Sequence, residues 1–189
     1  MYLVGKSTYL KINSENDVDL QNILNDFINC FCNGYVEVKT KYKILPIFKI
    51  SFHKNNLPHL LGLHYTQKNV NAKKIVGRIA EGKITHNSIK SHHYYDNIKD
   101  RLINYNFLHK CFIDKEIRLC VIVPKNSINP QKIDVAFIDD KNSEVMILGL
   151  KKGYNNDFYS PATMYILGKN SSYRRMRRTH IVSIEWKDY

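Results

Sequence analysis

His59 and His64 bracket an apolar core in the stretch Leu57-Pro58-His59-Leu60-Leu61-Gly62-Leu63-His64-Tyr65. Imidazole ionises near pH ~6.5, so it can take or give a proton close to neutrality. The chain around this stretch is strongly basic, with 29 Lys+Arg against 17 Asp+Glu and a formal net charge of +12. A surface of that sign attracts polyanions, and nucleic acid is the commonest of these in a cell. Histidines on a basic chain point to proton-transfer chemistry on a phosphodiester.

RNA cleavage by protein groups alone needs a base for the 2′-hydroxyl, an acid for the leaving 5′-oxygen, and cations or donors for the charge that builds between them. His59 is the first candidate for proton transfer. His64 lies five residues on, which on a continuous helix is about 140° around the axis, so the two rings are not expected to face one point. Lys83 and Lys90 are candidate cations, in a polar connection that also carries His86, His92 and His93. The densest basic stretch is Tyr173-Arg174-Arg175-Met176-Arg177-Arg178, which holds four of the seven arginines. It reads as a phosphate-contacting loop, with Tyr173 free to stack on a base.

Other chemistries lack their residues. Cys30-Phe31-Cys32 is too tight for a zinc knuckle, and Cys111 and Cys120 form no second pair with ligand spacing. There is no HExxH motif and no Gly-x-Ser-x-Gly elbow, and Gly149-x-x-x-Gly153 lacks the Lys-Ser/Thr of a phosphate loop. The reading is therefore of an enzyme with no metal and no cofactor. Met1-Tyr2-Leu3-Val4 runs into Gly5, Lys6 and Ser7 without the apolar run of a secretion signal. No apolar run is long enough to span a membrane, and the four cysteines read as reduced thiols, so a cytoplasmic location is expected.

The elements that must position these groups follow from periodicity. Tyr2 to Ile12 reads as a strand or an ordered arm. Ser14 and Asp17 resemble a capping box for a helix carrying Val18, Ile23, Leu24, Phe27, Ile28 and Phe31, ended by Gly34. Alternation predicts a strand over residues 35–42, and Ile47-Phe48-Lys49-Ile50-Ser51-Phe52 predicts another. A short helix behind Pro58 carries His59 to Tyr65, a second spans residues 71–81, and a longer one runs from Tyr94 to Phe112. Strand-like runs follow at residues 116–123, 132–138, 144–150, 162–167 and 180–186, with Asp139-Asp140-Lys141-Asn142 as a hairpin turn. Helices first and strands later give an α+β fold on an antiparallel sheet.

The His59-Leu60-Leu61-Gly62-Leu63-His64 box is followed by Ile133-Asp134-Val135-Ala136-Phe137-Ile138, then Val145–Lys152, then Tyr159-Ser160-Pro161-Ala162-Thr163-Met164-Tyr165. This order resembles the phage-associated branch of the barnase–EndoU–colicin–RelE superfamily over residues 48–186. The resemblance implies helices on an antiparallel sheet of about four to five strands, and metal-independent cleavage of RNA (tRNA or mRNA). It also implies a toxin or effector of phage, prophage or mobile-element conflict, with an antitoxin or immunity protein as possible partner. His59 and a late-strand hydroxyl, Thr163 with Tyr159 nearby, correspond to active-site groups. Residues 48–189 then form the ribonuclease-like domain, and residues 1–47 an α/β extension packed on it. The rival readings are a catalytically silent nucleic-acid-binding or inhibitor module, and an interaction protein with an acidic partner.

Overall fold

The computed structural model describes residues 9–125, 127, 129, 131–141, 144–154, 157–168 and 170–189. The first helix, α1 (Leu20–Phe31), buries Leu20, Ile23, Leu24, Phe27 and Phe31. Asp19 caps it, accepting from the Asn22 amide at 2.8 Å. The Ser14–Asp17 box closes a separate 3-10 turn instead. There the Asp17 carboxylate accepts from the amides of Asn13 and Ser14, and Val18 leaves in an extended conformation that prevents continuation into α1. The arm read from Tyr2 falls largely outside the described residues.

Among the described residues, seven strands form one sheet: β1 (Tyr35–Thr40), β2 (Ile47–Ser51), β3 (Leu119–Ile122), β4 (Val135–Lys141), β5 (Glu144–Lys152), β6 (Phe158–Gly168) and β7 (Arg178–Lys187). Their order is β1-β2-β6-β5-β4-β3-β7, and β7 pairs back to β1, so the sheet closes. This corrects the expected four to five antiparallel strands. The additional strands come from the first fifty-odd residues, where β1 pairs along its length with both β2 and β7. The sheet is also not wholly antiparallel: β2 runs parallel to β6 through Lys49↔Phe158 and Ile50↔Tyr159. Alternation identifies each strand but carries no information about a partner a hundred residues away. The hairpin tip at residues 142–143 lies outside the described residues.

The central strands are buried on both faces. Val135, Phe137, Met146, Leu148 and Leu150 join the helices in the main core, while Ala136, Ile138, Val145 and Ile147 form a second cluster with Val121, Ile133 and Tyr173. That explains why Val145–Leu150 is continuously apolar and does not alternate. Gly149 is small because a Cβ there would sit 2.8 Å from Ile133 Cγ2 and 3.0 Å from Thr163 Cγ2.

Five short helices lie between β2 and β3: α2 (Leu57–Leu60), α3 (Ala72–Ala80), α4 (His86–Lys90), α5 (Asp96–Ile103) and α6 (Phe107–Phe112). The helix expected from Tyr94 to Phe112 is broken at Asn104–Asn106, and the break serves packing. The Asn106 side chain accepts from the Ile12 amide at 2.7 Å and donates to the Leu10 carbonyl at 2.6 Å. Tyr105 donates to Asp26 Oδ2 at 2.7 Å, His109 Nε2 lies 2.8 Å from the same oxygen, and the Leu10 amide donates to Oδ1 at 2.8 Å. Tyr9 stacks on His109, and Phe31 meets that ring edge-on. Among the described residues no helix is long and apolar enough to cross a membrane.

Burial alone would raise the Asp26 carboxyl, but the hydrogen bonds from His109, Leu10 and Tyr105 hold it below the usual carboxylate value. A folded-state pKa below the unfolded value of about 3.9 stabilises the fold above that pH, and the contribution is lost as pH falls through the lower folded value. Asp26→Ala is expected to cost about 3–5 kcal/mol, because the Tyr105 hydroxyl and the Leu10 amide lose their acceptor and buried His109 loses its carboxylate neighbour. Urea titration at neutral pH and again in acid checks this. The difference between wild type and variant should shrink in acid.

Candidate active site

The histidine stretch is not one helix. Pro58 sits in the first turn of α2, which stops after Leu60. Gly62 then turns left-handed at φ 72°, and Leu63–Tyr65 form a 3-10 turn. The conformation calls for glycine, and so does the space: a Cβ would lie 2.9 Å from Ile98 Cγ2 and 3.2 Å from Arg101 Cδ. The turn cancels the 140° separation expected of a continuous helix. The rings of His59 and His64 lie with centroids 6.0 Å apart.

Arg101 of α5 completes the cluster. Its Nη1 donates to the His59 carbonyl at 3.5 Å, and its guanidinium lies 5.6 Å from the Tyr65 ring and 5.8 Å from that of Tyr165 on β6. The Nε atom is buried without a hydrogen-bond partner. Among the described residues no carboxylate forms an ion pair with this guanidinium. A partly buried, unneutralised cation set between two aromatic rings is a ready anion site.

The same charges act on the imidazoles. Desolvation, and then the positive charge of Lys151, hold His59 below its ordinary pKa. Desolvation, then Arg101 and His59, do the same to His64. Both rings are therefore poised neutral near pH 7, able to accept a proton. Burial raises the Tyr165 hydroxyl, with the neighbouring Tyr173 hydroxyl adding to the effect.

Other candidates have other partners. Thr163 is buried on the same face of β6 as Tyr165, packed on Gly149. Tyr159 is buried edge-on against Phe48 at the start of β6, where it pairs with Lys152. Lys83 pairs with Glu81 at 2.6 Å, and Lys90 with Glu15 at 2.9 Å. His86 bonds the Tyr95 hydroxyl, and His92 stacks on His93. The arginine run is only partly a loop: Tyr173, Arg174 and Arg175 lie in α7 (Ser172–Arg175), Met176 and Arg177 form the connection, and Arg178 opens β7. Tyr173 is buried, so it cannot stack on a base as expected. Arg174 and Arg178 both pair with Asp140, at 2.8 and 2.5 Å, which leaves Arg175 and Arg177 exposed.

The sequence matches the family described as phage-Barnase-EndoU-ColicinE5/D-RelE like nuclease4 (PBECR4) over residues 19–188. The chain belongs to this nuclease family. Its match begins in α1 and so takes in β1, well ahead of residue 48, where the resemblance read from motifs begins. No curated protein matches the chain, and no solved structure does.

Among the described residues of this PBECR4 nuclease, the His/Cys/Asp/Glu group with ligand atoms within 4.8 Å of one another is Asp26, Cys30 and His109. Cys30 and His109 each meet the Asp26 carboxylate, and burial, with the Asp26 charge next, pushes the Cys30 thiol up to about 12. Thiolate ligation there is disfavoured. The residues that sequence reasoning passed over are Arg101 and Tyr165. Arg101 was visible only as a lone arginine in a lysine-rich chain, and Tyr165 as the last residue of a motif noted for its threonine.

Replacing Arg101 by Gln removes a cation that disfavours the His64 imidazolium, so the pKa of His64 is expected to rise. His59, whose neighbouring charge is Lys151, should move little; Lys151→Gln should raise His59 and spare His64. NMR titration of the imidazole protons reads both, and parallel shifts in both variants would contradict the assignment.

Proposed function

We propose that this nuclease is a metal-independent endoribonuclease in which His59 and His64 exchange protons with RNA and Arg101 stabilises the phosphorane. The observation that carries the reading is the histidine pair, poised neutral and 6.0 Å apart, beside a guanidinium with no carboxylate partner among the described residues. One imidazole takes the 2′-hydroxyl proton, that oxygen attacks phosphorus, and the other ring, protonated, delivers its proton to the departing 5′-oxygen. Arg101 meets the charge that builds on the non-bridging oxygens. In this mechanism the histidines only move protons, and RNA supplies the nucleophile in its 2′-hydroxyl. The guanidinium also opposes a divalent cation there. The phage-associated family supports a role as toxin or effector acting on cytoplasmic RNA, such as tRNA or mRNA, and held in check by an antitoxin or immunity protein.

Purified protein is expected to cut RNA in excess EDTA and to leave 2′,3′-cyclic phosphate ends. His59→Ala should lower the rate by about 10²–10⁴-fold with little change in RNA affinity. A strict metal requirement, a 3′-hydroxyl product or an unimpaired variant would overturn the reading. A variant in a silent binding module would behave like its parent.

The pH profile follows from the same shifts. The base must be neutral and the acid protonated, and both histidines lie below the ordinary value of about 6.5. The bell in kcat/KM should therefore peak on the acid side of pH ~6.5 and fall toward pH ~8 as the acid loses its proton. An optimum well above neutrality would exclude a two-histidine mechanism.

A further inference from the structure

The +12 charge of the chain is only partly accounted for by the site and the arginine run. At one end of the barrel, the β1–β2 turn faces the β3–β4 connection across two adjoining clefts, each of 380 Å³. Tyr42, Ile122 and Pro124 line both. Lys41, Arg177 and His180 border the first, and Lys125, Lys152 and Tyr159 the second. Lys41, Lys125 and Arg177 are exposed. The acidic lining residue, Asp134, accepts from the Lys152 amide at 2.7 Å. Ile44, at the tip of the β1–β2 turn, is 82% exposed and borders the second cleft.

We infer that these two clefts form one groove that holds a single-stranded RNA segment flanking the scissile phosphate. This rests on the nuclease reading. Cations spaced along a groove suit successive phosphates, while Tyr42 and Ile44 offer an aromatic ring and an apolar edge to bases. The groove also leads to the chemistry. Lys152 lines it, and the preceding residue, Lys151, is the charge felt by His59. Neighbouring side chains on a strand point to opposite faces, so an RNA strand leaving the histidine pair must round the end of β5, at Lys152, to enter the groove. Of the arginine run, Arg177 and Arg178 reach the groove; Arg178 is already paired with Asp140, so Arg177 supplies the free contact.

The test uses the full chain in a His59→Ala background, so that the probe is not cut, and a short 5′-labelled oligouridylate. Lys41→Gln/Lys125→Gln/Arg177→Gln should weaken binding by about tenfold or more at low salt. The salt slope should fall by about 2, from about 0.7 per lost single-strand phosphate contact. Lys73→Gln/Lys74→Gln/Arg78→Gln on α3 removes the same charge from exposed positions elsewhere and should change affinity far less. With His59 restored, the groove variant should cut a dinucleotide, too short to reach the groove, at the wild-type rate. Unchanged oligouridylate affinity would overturn the inference and assign the groove to a protein partner. Equal losses in both triple variants would also overturn it, reducing the effect to net charge. Groove-dependent binding without any cleavage by the parent protein would instead defeat the nuclease reading and leave the groove standing.

Discussion

What positions Arg101 leads back to one buried carboxylate, that of Asp26. Its two oxygens collect the Leu10 amide, the Tyr105 hydroxyl and His109, and so tie α1 to α6 and to the segment before the first helix. Asn106, one residue beyond Tyr105, holds Leu10 and Ile12 from the other side. These bonds require the chain to break between α5 and α6. A continuous helix would turn Tyr105 and Asn106 away from their partners. The break fixes where α5 ends, and Arg101 sits in its last turn. A buried polar cluster of this kind specifies one arrangement of three segments far apart in sequence.

The histidine pair depends on a second constraint, the close approach of Gly62 to α5. The left-handed turn reverses the chain between His59 and His64, and the missing side chain lets Ile98 and Arg101 pack against the backbone. One glycine thus brings two imidazoles together and sets a guanidinium beside them. The electrostatics follow from that packing. Two rings and a cation in a partly desolvated pocket disfavour further positive charge, so the histidines stay neutral and the site is left to attract an anion.

Charge elsewhere is distributed with similar economy. Asp140 pairs with both Arg174 and Arg178, and Lys99 and Lys90 hold Glu15 down to about 2. Those cations fasten elements together. Among the described residues, Lys41, Lys125 and Arg177, exposed beside the barrel-end clefts, form no ion pair, whereas Lys152 there pairs with Asp157. A count of lysines and arginines therefore overstates the surface available to nucleic acid, and their partners decide which ones remain.

Much of the chain was legible in its sequence. Alternation at Tyr35–Thr40 and apolar runs at Val135–Leu150 marked the strands, helical spacing marked α1 and α3, and the His-Leu-Leu-Gly box marked the two histidines that carry the proposal. These are local signals, because side-chain periodicity is set by the backbone within a turn or a pleat. The closure of the sheet through Lys49↔Phe158, the meeting of His59 with His64, the arrival of Arg101 at Gly62 and the burial of Tyr173 were not legible. An unbroken helix would hold the two histidines about 140° apart, and Gly62 at positive φ breaks it. The sequence by itself determined which residues could do chemistry and which segments would be helix or strand. Only the tertiary structure decided which of them meet, because each meeting joins positions whose separation along the chain carries no periodic signal.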